Sequence, residues 1–314
     1  VLRDVSSVDT SGEFLGHKLT IPVCLAPIGS LQVFEAGGGA TAAKAAAEFG
    51  CMVMSSSVCT PALEDIAAAA DGPKIFQLYV RGDADWTDEM VQRAIDAGFT
   101  AFCLTVDTAT VSRRERDIAK GVVPTSTAFM QNQRDPSGNL NFQAMLNWND
   151  VKRIRDKFDI PLILKGINTG EDAAMAVDHG IDVIYVSNHG GRQLDQGRGT
   201  IELLKDCLAE VDGRAKIAVD GGFYRGTDIL KAIALGADIV GIGRLEAWAM
   251  AAGGQPAVVR MLEILRNEML LGMALTGVTS LDELDASFLA ESQPVVPPSV
   301  ISAFPLLDVD DEGY

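Results

Sequence analysis

Eight short runs of β-forming residues alternate with alanine-rich helical stretches along almost the whole chain. They are VCLAPI (23–28), MVMSS (52–56), KIFQLY (74–79), AFCLTVD (101–107), PLILKG (161–166), DVIYVSN (182–188), KIAVDGG (216–222) and DIVGIGR (238–244). Most are apolar without alternation, as parallel strands are when helices cover both faces of their sheet. The same punctuation precedes four of them, in EFG, DAGF, DHGI and ALGAD, placing Gly50, Gly98, Gly180 and Gly236 at helix ends. A glycine there takes the left-handed conformation that stops a helix and turns the chain back. Eight such βα units close into a (β/α)8 TIM barrel. An open doubly wound sheet is the alternative, but no GxGxxG follows an early strand and AGGGAT (36–41) has a different spacing.

Two segments depart from this grammar. Residues 1–22 read as a short extension and hairpin capping the barrel bottom. Residues 115–146 form a long polar stretch between strands 4 and 5, a length usual for a lid or a disordered segment. At 314 residues and 47% apolar, the chain suits one large barrel, so residues 1–314 are read as a single domain. The opening VLRDV reads as the continuation of something upstream, and the tail after SQPVVPPS (292–299) as an extended surface segment.

A net charge of −17 argues against nucleic acid and anionic membranes as partners, since both need a basic face. No apolar run approaches the length of a membrane span, and no basic-then-apolar leader is visible. The five cysteines (24, 51, 59, 103 and 207) lie scattered without a CxxC, mostly in apolar segments. They read as buried small hydrophobes in a reducing, cytoplasmic setting, with no metal site expected.

Barrel active sites form where strands end. Polar residues gather there: Ser56, Gln77, Tyr79, Thr105, Asp107, Lys165, Ser187, Asn188, His189, Asp220 and Arg244. Within VSNHGGRQLD (186–195), His189 by itself reads as a hydrogen-bonded turn histidine. With Arg192 three positions on and Asp107 at another strand end, a base with an orienting carboxylate is the better reading, the carboxylate favouring the protonated imidazole. His179 ends a helix and His17 sits in a turn; both are read as structural. Lys165, at the end of an apolar strand, suits either a Schiff base or a positive charge for an anionic cofactor. Arg114, in SRRER, is either a surface charge or a ligand. DGGFYRG (220–226) and GIGR (241–244) close the last two strands, where barrels cradle phosphate with glycine amides and a helix N-terminus.

On these residues the chain resembles the FMN-dependent α-hydroxy-acid oxidase and dehydrogenase family, which includes glycolate oxidase, lactate oxidase and mandelate dehydrogenase. The likeness runs through LAPIG, FQLYV, LTVDT, RRERD, LKG, SNHGGRQLD and DGGFYRGTDILKAIALGAD. It implies FMN as cofactor, a homotetramer, and oxidation of an (S)-2-hydroxy acid to the 2-oxo acid, with oxygen or another electron acceptor. It makes His189 the base, supported by Asp107, and pairs Arg192 and Arg114 with the substrate carboxylate. Tyr79 bonds the substrate hydroxyl, and Lys165 lies near flavin N1. Pro27, Ile28, Gly29, Ser56, Gln77, Thr105 and Ser187 line the flavin ring and ribityl chain. Asp220, Gly221, Gly222, Gly243 and Arg244 hold the ribityl end and phosphate.

Departures from the pattern are specific. Tyr224 stands where the family's phosphate turn has its first arginine, Leu245 replaces the proline of Gly-Arg-Pro, and FEAGGG replaces His-Pro-Glu-Gly after strand 1. Gly29 leans slightly towards dehydrogenase-type members. Val58 stands where small-acid members often carry tryptophan, so a bulky or aryl substrate is expected. A Schiff-base aldolase on Lys165 and a flavin-binding barrel without turnover are the rival readings.

Overall fold

The computed structural model describes residues 2–110, 112, 119, 121, 141–194 and 196–291. Eight parallel strands close into a barrel, with the last returning to pair with the first. They are β3 (Val23–Leu25), β4 (Met52–Ser56), β5 (Lys74–Leu78), β6 (Ala101–Thr105), β7 (Leu162–Ile167), β8 (Val183–Val186), β9 (Lys216–Asp220) and β10 (Ile239–Ile242). Each expected strand is present, and most are shorter than expected at their C-terminal ends. Pro27, Tyr79, Asp107, Asn188 and Gly221 have left the ladder and belong to the loops that follow.

The intervening helices are α1 (Gly38–Phe49), α2 (Leu63–Ala68), α3 (Ala84–Asp96), α4 (Asn141–Met145), α5 (Trp148–Lys157), α6 (Gly170–Asp178), α7 (Thr200–Val211) and α8 (Gly226–Leu235). A last helical stretch, α9 (Arg244–Thr276), is broken at Gly253–Gly254. Pro256 restarts it at the position where a missing N–H is harmless. Gly50, Gly98, Gly180 and Gly236 all have positive φ at helix ends, as their spacing predicts. No described helix is long and apolar enough to cross a membrane.

Strand periodicity sorts the side chains into two cores. One set faces the helices: Phe76, Phe102, Leu104, Leu164, Ile184, Val219 and Val240 are each fully or almost fully buried in that layer. Alternate residues face inward and fill the barrel: Cys24, Met54, Ile75, Cys103, Ile163, Val183, Tyr185, Ala218 and Ile239. The expected hairpin closes the lower end, β1 (Gly12–Phe14) pairing antiparallel with β2 (His17–Leu19). Phe14 and Leu19 project from it into the inner core at 2% and 1% exposure, and burying such a side chain stabilises by about 1.5–3 kcal/mol. His17 lies in β2 itself; Leu15 and Gly16 make the turn, both with positive φ. All five cysteines are free thiols and buried.

Of the stretch 115–146, only Ala119, Gly121 and the segment containing α4 fall among the described residues, so the lid reading lies largely outside them, as does the tail beyond residue 291.

Candidate active site

Moving two residues up each strand from the apolar inner core keeps a side chain on the same face. Ile75 is thus followed by Gln77, Cys103 by Thr105, Ile163 by Lys165, Tyr185 by Ser187, and Ala218 by Asp220. These residues form a polar layer lining the barrel mouth, and they are interlocked. Gln77 donates from Nε2 to Thr105 Oγ1 at 2.7 Å, and Lys165 Nζ donates to Ser187 Oγ at 2.8 Å. Asp220 Oδ2 lies 3.4 Å from Lys165 Nζ in a buried ion pair. Burial alone would push the Lys165 pKa down; the carboxylates of Asp220 and Asp107 outweigh it and hold the ammonium above its usual range. A Schiff-base nucleophile needs the opposite, an amine easily deprotonated, so this lysine is built to stay charged.

Above this layer, the turn after β8 presents His189. Three successive residues, His189, Gly190 and Gly191, have positive φ, and for histidine this is uncommon backbone. Ser187 Oγ accepts from the His189 amide and the Asn188 side chain accepts from Gly191, which fixes the turn. His189 Nδ1 lies 3.1 and 3.2 Å from the two oxygens of Asp107. An ionised carboxylate only accepts, so Nδ1 carries the proton and Nε2 is left as the lone-pair atom. Nε2 faces the Tyr79 hydroxyl at 3.3 Å. Burial lowers the imidazole pKa and outweighs the opposing effect of the hydrogen bond that Nδ1 donates to Asp107. The carboxylate was expected to favour protonation; it does pull that way, but desolvation is larger, and the ring is poised as a neutral base.

Several supporting residues escaped the sequence reading. A Cβ on Gly166 would lie 2.6 Å from the Asp107 Cβ, and the strand register shifts between Lys165 and Ile167. That bulge makes room for Asp107. Gln143, 4% exposed on α4, donates to the Thr105 carbonyl and accepts from the Val80 amide, holding two strand ends together. Gln193 donates to the Asp107 carbonyl. LKG flagged Gly166 without its reason; nothing in the sequence near Gln143 signals its role.

Arg192 follows the His189 turn and is exposed. Arg114 lies outside the described residues. Pro27, Ile28 and Gly29 follow β3, half-buried at the mouth, with Ser56 fully buried across from them at the end of β4. The next turn carries Val58, 3% exposed; a Cβ on Gly29 would lie 2.6 Å from Val58 Cγ2.

The phosphate end is built differently. Gly221 and Gly222 have positive φ, and nothing lies within 4 Å of a Cβ on Gly222. Tyr224, in the arginine position, stacks on Trp248 with centroids 5.4 Å apart at 22°. Arg225 does not replace the missing charge, because Glu268 holds it at 2.7 Å. Glu268 also accepts from the Gly226 amide, and Asp228 accepts from those of Tyr224 and Arg225, so carboxylates cap the start of α8. The N-terminus of α9, by contrast, has no side-chain cap at Gly243, and Arg244 follows exposed, donating to the Gly190 carbonyl at 3.3 Å. That end is the one suited to an anion.

The donor and acceptor set suits a flat heterocycle with a phosphate tail. Gln77 Oε1 is buried without a hydrogen-bond partner at the mouth, where a polar ring would meet it. Comparison with known proteins agrees. L-lactate oxidase of a Nostoc species is 38% identical over 310 residues, covering 92% of this chain and 85% of its own. Glycolate oxidase of Spinacia oleracea is 37% identical over 305 residues, covering 92% and 83%. A crystal structure of mandelate oxidase with (S)-2-phenylpropionate superposes with a TM-score of 0.81 at 38% identity, covering 90% of this chain and 82% of that one. The sequence profile of the FMN-dependent dehydrogenases matches residues 1–291. By fold, by the residues at its strand ends and by this match, the chain belongs to the FMN-dependent dehydrogenase family.

Proposed function

We propose that this protein oxidises an (S)-2-hydroxy acid to the 2-oxo acid, and that dioxygen takes the electrons, as the names of its oxidase relatives suggest. The observation that carries this reading is the line Asp107–His189–Tyr79, which leaves Nε2 of a neutral imidazole facing the mouth. FMN, when bound, would take the electron pair together with one of the two protons, as a hydride equivalent. The chain's residues do the rest. Arg192 pairs with the substrate carboxylate, a bidentate task suited to guanidinium, and Arg114 is its expected partner. Tyr79 orients the substrate hydroxyl. His189 Nε2 takes up a proton as the substrate loses two electrons and two protons, and Asp107 stabilises the imidazolium so formed. Lys165 supplies a fixed positive charge where negative charge accumulates.

For the substrate side chain we infer a bulky or aryl group. Relatives named for lactate, glycolate and mandelate are similarly close, so identity alone does not choose among them. What supports the bulky reading is Val58: its short side chain, 3% exposed, packs on Gly29, and a valine in that wall takes up less of the mouth than a ring would, leaving apolar surface to be buried at about 25 cal/mol per Å².

The test is the visible spectrum of the purified holoprotein under anaerobic conditions. Addition of mandelate or 2-hydroxyoctanoate should bleach the yellow colour faster than glycolate, and air should restore it. Val58→Trp should slow the bulky acids and spare glycolate. No bleaching by any 2-hydroxy acid would leave a flavin-binding barrel without turnover; glycolate as the best substrate would remove the size argument alone.

A further inference from the structure

The apolar floor beneath the active site contains one phenol. Tyr185 points into the barrel from β8 at 1% exposure, among Cys24, Met54, Ile75, Ile163 and Ala218, directly below the polar layer. Lys165 Nζ sits 5.2 Å from its ring centroid, over the aromatic face, where a cation is attracted by the ring quadrupole. Its hydroxyl is placed by Gly241: a Cβ there would lie 1.9 Å from the Tyr185 hydroxyl oxygen and 3.0 Å from the Asp220 Cβ, so the two are at most about 5 Å apart. The hydroxyl and Asp220 Oδ1 are both buried without a well-formed hydrogen bond, though the Asp220 carboxylate lies close enough to add to burial in raising the phenol's pKa. One is a donor and the other an acceptor. A rotation of the Asp220 carboxylate about its χ2 joins them.

We propose that Tyr185 is a positioning residue for the Lys165–Asp220 pair. Its hydroxyl satisfies Asp220 Oδ1 and draws the carboxylate's charge away from Lys165, leaving the ammonium less compensated towards the flavin. The inference rests on the reading that Lys165 faces the bound flavin. Burial, with the negative charge of Asp220 next, keeps the phenol protonated, so it remains a donor throughout the working pH range. Gly241 is then the glycine that this hydroxyl requires, since any side chain at 241 would occupy its place.

The test is the two-electron midpoint potential of the bound flavin, measured by dye equilibration on the FMN-loaded protein. Tyr185→Phe keeps the ring and removes only the hydroxyl, so the melting temperature and FMN affinity should hold. Its potential should fall by up to about 30 mV, a tenfold change in the reduction equilibrium. Lys165→Met should lower it further. An unchanged potential in Tyr185→Phe, with a fall in Lys165→Met, overturns the role of the hydroxyl; no fall in either overturns the reading of Lys165 on which it rests. A second measurement reads the packing. Gly241→Ala should lower the melting temperature, and Tyr185→Phe should rescue it in part, because the 1.9 Å approach to the hydroxyl oxygen is removed while the ring carbon at 3.1 Å and the Asp220 Cβ at 3.0 Å stay close. Absence of rescue places the hydroxyl elsewhere and overturns the proposal.

Discussion

The two ends of the cofactor site are held by different means. At the ring end, Gln77, Thr105, Lys165, Ser187 and Asp220 are buried residues at strand ends, and partners on other strand ends of the barrel hold each in place. At the phosphate end, Gly222, Arg225 and Arg244 are exposed loop and helix-start residues, and the spare cation is already spent on Glu268. Strand register fixes the first end, so its chemistry follows from the fold. Loop contacts fix the second, so single substitutions can retune it without touching the barrel. Catalytic power should therefore collapse when the ring end is altered, while the phosphate end should respond in affinity alone.

The largest effect is expected at His189. His189→Asn should keep FMN yet slow anaerobic flavin reduction by at least ~10²-fold, the low end for a lost general base, in stopped-flow absorbance. The pH profile sharpens the point. Burial depresses the imidazole pKa, so the acid limb of kcat/KM should lie below the ordinary histidine range, with a plateau at neutral pH. Asp107→Asn removes an influence that raises that pKa, so the limb should move to still lower pH; movement upward would show that the carboxylate does not favour the protonated ring.

At the phosphate end the expected change is one of binding. Tyr224→Arg restores a charge-assisted hydrogen bond of about 1.5–3 kcal/mol, so FMN should bind roughly 10–150-fold tighter to the apoprotein, with turnover per bound flavin unchanged. Glu268→Gln should tighten it less, by releasing Arg225 while retaining an acceptor for the Gly226 amide. If either variant changes the reduction rate of the bound flavin, the two ends are coupled and the comparison fails.

The smallest effect concerns a buried acid in the first turn of α9. Glu246 is 0% exposed, and neither carboxyl oxygen has a hydrogen-bond partner, in contrast to the paired charges of the ring end. Burial raises its pKa in the folded state. Its contribution to stability is then fully present below the unfolded carboxyl range and is lost as pH rises towards the folded value. Glu246→Gln should melt higher than the parent at neutral pH, by roughly 2–4 °C per kcal/mol recovered, and the gap should close towards pH 4. A constant gap across that range would mean that the carboxyl titrates alike in the folded and unfolded chain.

Much of this was legible in the residues because a strand has a period of two. Ile75 and Gln77, or Ile163 and Lys165, announce both an inward face and the level at which it turns polar. Gly50 and Gly236 announced the returns of the chain, because few other residues adopt that backbone. The runs extend past the ladder, since Val106 and Asp107, like Ser187 and Asn188, keep strand composition after leaving it to form the site. Contacts between distant loops were not legible at all. The Arg225–Glu268 pair, the packing of Val58 on Gly29 and the bridge by Gln143 depend on how βα loops meet, and no local pattern encodes that.

The hairpin plug under the barrel makes the site one-sided. Phe14 and Leu19 stopper the lower end, and apolar side chains fill the barrel above them, so among the described residues no path from beneath leads to the polar layer. What binds there comes from the side on which the strands end. A two-stranded ribbon on the far side of the molecule thus helps to set the direction from which the chemistry is approached.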